Sequence, residues 1–113
     1  MDQLTRYQTL IKQALQEYAG FMQVPPEHPY RVALLFDDEH REYLLRNIGW
    51  TKKKRIWHTA LHVSIYNGKI RIEEDWTEDG IATYFLEHGV PNQDIVLGFQ
   101  PPEMRQYTEF AAA

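Results

Sequence analysis

Two residues limit the fold of this chain more than any others: Asn67-Gly68, set between the runs Arg55–Tyr66 and Lys69–Asp75. Both residue types tolerate positive φ, and the pair is the strongest short signal for a two-residue type I′ hairpin. A loop of that length also predicts a register. Tyr66 faces Lys69, Ile65 faces Ile70, Val63 faces Ile72 and His62 faces Glu73. Trp57, Thr59, Leu61, Val63 and Ile65 then point toward the core, and His58, Ala60, His62, Ser64 and Tyr66 point away. A slip of one residue would exchange the two faces.

Upstream, Arg31–Phe36 and Arg41–Ile48 complete a set of four strands with no helix between them. Their turns are Asp37-Asp38-Glu39-His40 and Thr51–Lys54. Alternation in Arg41–Ile48 is poor and leaves its inward face open. Before the strands, Leu4, Tyr7, Ile11, Ala14 and Tyr18 alternate spacings of three and four, widened by Leu10 and Leu15. That pattern predicts a helix from about Asp2 to Met22 with one buried face. It lasts under three heptads, which favours packing on a sheet over a coiled-coil seam. Gln23–Pro29 holds three prolines and is expected to be a stiff connection.

The last third is heavily punctuated. Thr77 can cap a helix, with Glu78 and Asp79 placed where carboxylates meet its positive end. Ile81, Ala82, Phe85 and Leu86 form one apolar stripe, and His88-Gly89-Val90-Pro91 closes it. Ile95–Leu97 reads as a short buried strand, and Pro101-Pro102 opens a final helical turn. The prediction is an α+β domain spanning residues 1–113. It has an N-terminal helix, a four-stranded antiparallel meander, a helix, a short fifth strand and a short C-terminal helix.

Composition excludes several function classes. The chain has 113 residues, 43% hydrophobic and 25% charged, and no cysteine. Disulfides, thiolate metal sites and cysteine nucleophiles are thereby ruled out. No apolar run approaches the roughly 20 residues that span a bilayer, and no signal-peptide pattern opens the sequence. A cytoplasmic protein without membrane contact is expected.

Catalytic patterns are equally thin. His58 and His62 on one strand would stand about 13 Å apart at roughly 3.3 Å per residue, too far for one metal. His62 opposite Glu73 is better read as a cross-strand pair of roughly 0.2–1 kcal/mol. His28, His40 and His88 lack ligand spacing. Ser64 is the only serine and has no nucleophile elbow, and the glycines are scattered singly rather than in a phosphate loop. The run Glu73-Glu74-Asp75-Trp76-Thr77-Glu78-Asp79 is read as a solvated acidic strand end rather than a Mg²⁺ site. No enzyme activity, metal or cofactor is expected.

The basic run Lys52, Lys53, Lys54 and Arg55, flanked by Trp50 and Trp57, is the one feature inviting nucleic acid. Two arguments oppose it. The net charge is −4, and extending the hairpin register sets Arg55 beside Asp79 and Gly80, where opposite charges would cancel. Direct DNA contact is left open, with a solvated turn or protein-facing patch as the alternative. Trp50, Trp57, Trp76 and Tyr107 are candidate interface anchors, because large aromatics dominate interface energetics; each could equally be core. A homodimer is a further expectation, since a small open sheet leaves an edge to cover.

The ordered signals Trp76–Ala82, Asp94–Arg105 and Tyr107–Ala111 also carry a resemblance. With Leu4–Tyr7, Gly49-Trp50 and Asn67–Ile70 upstream, nearly the whole chain resembles the XisI family, the fdxN-element excision controlling factors of cyanobacteria. Arg71 departs from it, standing where an aromatic is expected. The resemblance implies an accessory, non-enzymatic factor for site-specific excision of a DNA element. Its expected partners are a companion controlling factor and a recombinase. A DNA-binding directionality factor using Lys52–Arg55, or an antitoxin-like inhibitor of a nuclease-like partner, are the alternatives.

Overall fold

A computed structural model describes residues 2–22 and 29–113. Except for Pro29, the Gln23–Pro29 connection, with His28, lies outside the described residues. Helix α1 spans Gln3–Phe21, and the Asp2 carboxylate accepts the Thr5 backbone N–H at 2.7 Å to satisfy one free donor of its first turn. Its stripe buries Tyr7, Leu10, Ile11, Ala14 and Leu15, with Leu4 and Tyr18 half-buried beside them. The helix lies across the sheet, as the short heptad pattern predicts.

The sheet contains β1 (Tyr30–Asp37), β2 (Glu42–Thr51), β3 (Lys54–Tyr66), β4 (Lys69–Asp75) and β5 (Ile95–Leu97), in that spatial order. The first four form the antiparallel meander; β5 runs parallel to β4 because helix α2 (Ile81–Glu87) intervenes. A single turn, Asn92–Asp94, leads into β5, and α3 (Pro102–Arg105) follows it. The fold is α+β, and no helix among the described residues is long and apolar enough to cross a membrane.

The hairpin at Asn67-Gly68 has φ of 53° and 75°, the positive values a type I′ loop requires, and Tyr66 pairs with Lys69. Ile65–Ile70 and Val63–Ile72 pair as predicted. Beyond them the register departs. Glu73 is an extra residue, so His62 faces Glu74 and Leu61 faces Asp75. His62 instead binds Glu42 across the β2 side, Nε2 to Oε1 at 2.7 Å.

A second extra residue, Ala60, sits where Leu45 faces Leu61 but Arg46 faces Thr59. Each bulge inserts one residue and shifts the phase of side chains beyond it. Leu61, Val63 and Ile65 are buried as expected. Trp57 is not, being 58% exposed, while Ala60 and Ser64 are buried. The expected inward placement of Trp57 is therefore wrong. Ala60, expected to point outward, is the bulged residue and is buried, whereas Ser64 alternates with the core residues Val63 and Ile65 as expected and is covered by its neighbours on the outer face. For β2 the open choice is settled: Tyr43 and Leu45 are fully buried under α1.

Helix α2 begins later than Thr77 predicts. Its N-cap is Gly80, and Glu78 and Asp79 precede the helix instead of entering its first turn. The Asp75 carboxylate organises this entry, accepting from Thr77 N and Oγ1 and from Ile81 N at 2.5–2.8 Å. The C-terminus follows the sequence signals closely. Gly89 has φ 88°, Val90 N donates to Phe85 O and Gly89 N to Leu86 O, which is a Schellman motif. Buried Arg105 donates to the carbonyls of Leu97, Gly98 and Gln100, and so pins the turn after β5.

Candidate functional site

Strand β3 outruns β4. After Asp75, Trp76 N donates to Ala60 O, and from Thr59 back to Lys54 the strand is paired with β2 alone. The result is a β2–β3 ribbon closed by Lys52-Lys53, flanked by β1 up to Gly49 and two-stranded only at its last pairs, Trp50 with Arg55 and Thr51 with Lys54. Sequence reasoning put Lys54 in the turn; it begins the strand. Lys52 has φ 48°, in the left-handed region where glycine and asparagine are the ordinary occupants.

Arg46 and Trp50 alternate away from buried Leu45 along β2, and the Ala60 bulge in β3 brings Arg55 and Trp57 onto that same outer face. They stack as a ladder. The Arg46 guanidinium lies 4.3 Å from the Trp57 ring centre, and that of Arg55 lies 5.4 Å from both Trp50 and Trp57. Such contacts hold long cationic side chains in place for about 0.5–1 kcal/mol each at exposed sites. Arg55 also donates to Gly49 O at 3.3 Å, whereas the buried Nε of Arg46 has no hydrogen-bond partner. Arg46 was not singled out from sequence. Only the cross-strand register reveals it.

The proximity of Arg55 to Asp79, used above against nucleic acid, does not occur. The three hydrogen bonds to Asp75 fold the chain back toward α2, and Asp79 lines a recess with Glu17, Tyr18 and Tyr84 instead. Among the described residues, no carboxylate forms an ion pair with Lys52, Lys53, Lys54 or Arg55. A sequence signal for this was present and unused. Residues 29–36 and 43–60 hold six of the 12 lysines and arginines and none of the 16 carboxylates. The rest of the chain sets six cations against 16 carboxylates, so a body of charge −10 carries a ribbon of +6.

The structure places the four aromatic candidates outside the core: Trp50, Trp57, Trp76 and Tyr107 are all exposed. It brings three of them to one end of the sheet. Trp76 meets His58 edge-on at 5.5 Å and donates Nε1 to Glu74 at 2.9 Å. Tyr107 follows α3 and joins no ring pair with the other three.

The opposite end of the same face has a different character. His40, Glu42, Ser64, Tyr66, Arg71 and Glu73 line an open cleft of about 380 Å³. Arg71 Nε binds Glu73 Oε1 at 2.7 Å, and His62 is engaged with Glu42, so the charges there are already matched. Among the described residues, no group of three or more His, Cys, Asp or Glu is placed to hold a metal ion.

Residues 1–112 match the XisI protein family. The chain belongs to that family. Two solved structures of XisI type resemble it closely. A XisI-like protein from Anabaena variabilis ATCC 29413 is 37% identical, over 97% of this chain and 99% of that one, with a TM-score of 0.90. The fdxN element excision controlling factor XisI from Anabaena variabilis ATCC 29413 is 39% identical, over 99% and 100% of the two chains, with a TM-score of 0.89. No curated protein matches. The resemblance on Leu4–Tyr7, Gly49-Trp50 and the C-terminal third thus leads to the right family.

Proposed function

We propose that this XisI-family chain is a non-enzymatic accessory factor in the cytoplasm that controls excision of a DNA element by docking other proteins. The similar solved protein that bears the name of excision controlling factor supports the excision role. The observation that carries the docking role is the inequality of the sheet's two edges. At β5 the C-terminal segment covers the edge: Ala111 bridges Val96 in parallel, and its N–H donates to Ile95 O at 2.9 Å. Strand β1 is the other edge and pairs with β2 alone. Leu34 and Leu35 are exposed on it, at 37% and 48%. A long apolar edge is a template for a strand from another chain, with backbone hydrogen bonds giving affinity and side chains giving specificity.

The partner in this reading is the companion controlling factor, and through it the recombinase. A second copy of this chain could use the same edge. Co-expression with the companion factor and mass measurement of the purified assembly tests the proposal. A stable complex that the double substitution Leu34→Gln, Leu35→Gln dissolves is expected. Separate elution of the wild-type chains would defeat it.

A further inference from the structure

We propose that the β2–β3 ribbon is a duplex-DNA contact, gripping the phosphate backbone through Lys52, Lys53, Lys54, Arg55, Arg46 and Arg31. Three independent features converge there. The first is charge complementarity. Among the described residues the ribbon's cations form no ion pair, and the acidic end of β4 is remote from the ribbon's tip. Arg55 lies six residues before Leu61, the partner of Asp75, which is about 20 Å at roughly 3.3 Å per residue. Charges at that separation lie beyond two Debye lengths, about 8 Å each at physiological salt. The −10 body therefore does little to cancel the local field at the ribbon's tip.

The second feature is order. Arg46 and Arg55 are stacked on Trp57 and Trp50, so their guanidiniums are held in place before any ligand arrives. Arg31 faces Ile48 and joins the same surface from β1. Because guanidiniums already lie over the indoles, the surface offers fixed cations more than free stacking platforms. That favours phosphates over unpaired bases, which need bare aromatic faces.

The third feature is the turn itself. Both two-residue hairpin loops in this chain use positive φ. One has Asn67-Gly68, which suits it; the other has Lys52-Lys53, with Lys52 at φ 48°. Turn preference does not favour lysine there, though Arg41 takes the same conformation at φ 59° in the β1–β2 turn; at Lys52 it sets a cation at the tip of the ribbon.

Fluorescence anisotropy of a labelled 25-base-pair duplex with the full chain tests this. Binding at 50 mM salt is expected, falling about tenfold for each doubling of salt if four phosphates are engaged. Neutralising Lys53→Gln and Lys54→Gln should weaken binding at least tenfold and flatten the salt slope by about two. Thermal unfolding of the same variant should match the wild type, which separates lost contact from lost fold. Leu34→Gln, Leu35→Gln should bind duplex normally, while the lysine variant should still co-purify with the protein partner. Failure of one proposal thus leaves the other standing. No anisotropy change at 50 mM salt would overturn the assignment, as would indifference to the lysine substitutions. Tighter binding of a single strand, or equal binding of polyglutamate, would equally overturn it, since each puts a different occupant on the ribbon.

Discussion

Strand β3 belongs to two hairpins, and they solve different problems. The hairpin with β4 closes on Asn67-Gly68, pairs Ile65 with Ile70 and Val63 with Ile72, and lies beneath the helices. The hairpin with β2 closes on Lys52-Lys53, pairs Trp50 with Arg55, and extends past the end of β4. Both are rich in residues that favour strands. In one, the apolar side chains build the core; in the other, Trp57 and Trp50 are turned outward to carry arginines. A single extra residue, Ala60, separates the two regimes. Whether a large hydrophobic residue becomes core or surface is thus a matter of phase along the strand as much as of side-chain type.

The largest expected effect lies on the core side. Leu61 is fully buried between Leu45 and the helices, and Leu61→Ala should cost about 2–5 kcal/mol through lost contacts and a residual cavity. Urea unfolding measures this. A cost below about 1 kcal/mol would break the contrast between the hairpins.

Gly49 tests where the ribbon is anchored. A Cβ there would meet the carbonyl of Pro29 and stand 2.5 Å from Tyr30 Cα, so backbone must move. Gly49→Ala should cost about 1–3 kcal/mol as overpacking does. At Gly98 the same substitution meets only the side chains of Glu73 and Arg71, which can swing away, and should cost less. Equal costs would mean that the start of β1 is free to shift.

Alkaline pH should act on the buried tyrosines packed between α1 and the sheet. Burial and a hydrogen bond to Asp94 raise the Tyr7 hydroxyl well above its ordinary 10.0, and burial and Asp38 do the same for Tyr43. The native state keeps both protons while the unfolded chain loses them above pH 10. Their stabilisation is therefore complete below pH 10 and is lost as pH rises further, by about 1.4 kcal/mol per pH unit for each tyrosine. Tyr7→Phe should make the loss of stability with pH measurably shallower in denaturant titrations above pH 10.

What could be read from sequence was whatever is decided locally. The Asn67-Gly68 loop, the α1 stripe, the glycine and proline closing α2, and Pro102 opening α3 depend on residues within a few positions of one another. The bulges do not. Ala60 and Glu73 are displaced by how three strands share hydrogen bonds, and neither residue type announces it. One missed phase change hid the candidate surface twice, by sending Trp57 inward and by carrying Arg55 on toward Asp79. Arg46 could not be singled out because its partner, Trp57, lies eleven positions away on another strand. The stretch from Tyr43 to Ile72 without a single carboxylate was legible from the start. Its meaning depended on knowing that the acids which follow turn away.

The smallest expected effect is on the ribbon, and it tests that phase directly. Trp57→Ala should cost about 1–2 kcal/mol at most, the worth of its two exposed cation–π contacts with Arg46 and Arg55. The chain's three tryptophans are exposed at 54%, 58% and 68%, so native and unfolded states should emit at nearly the same wavelength. Had Trp57 faced the core, as unbroken alternation from the Asn67-Gly68 turn requires, unfolding would shift its emission strongly to the red and its loss would match that of Leu61. Small changes in both measurements would place the phase change between Leu61 and Thr59, where a single alanine turns Trp57 outward to meet the arginines.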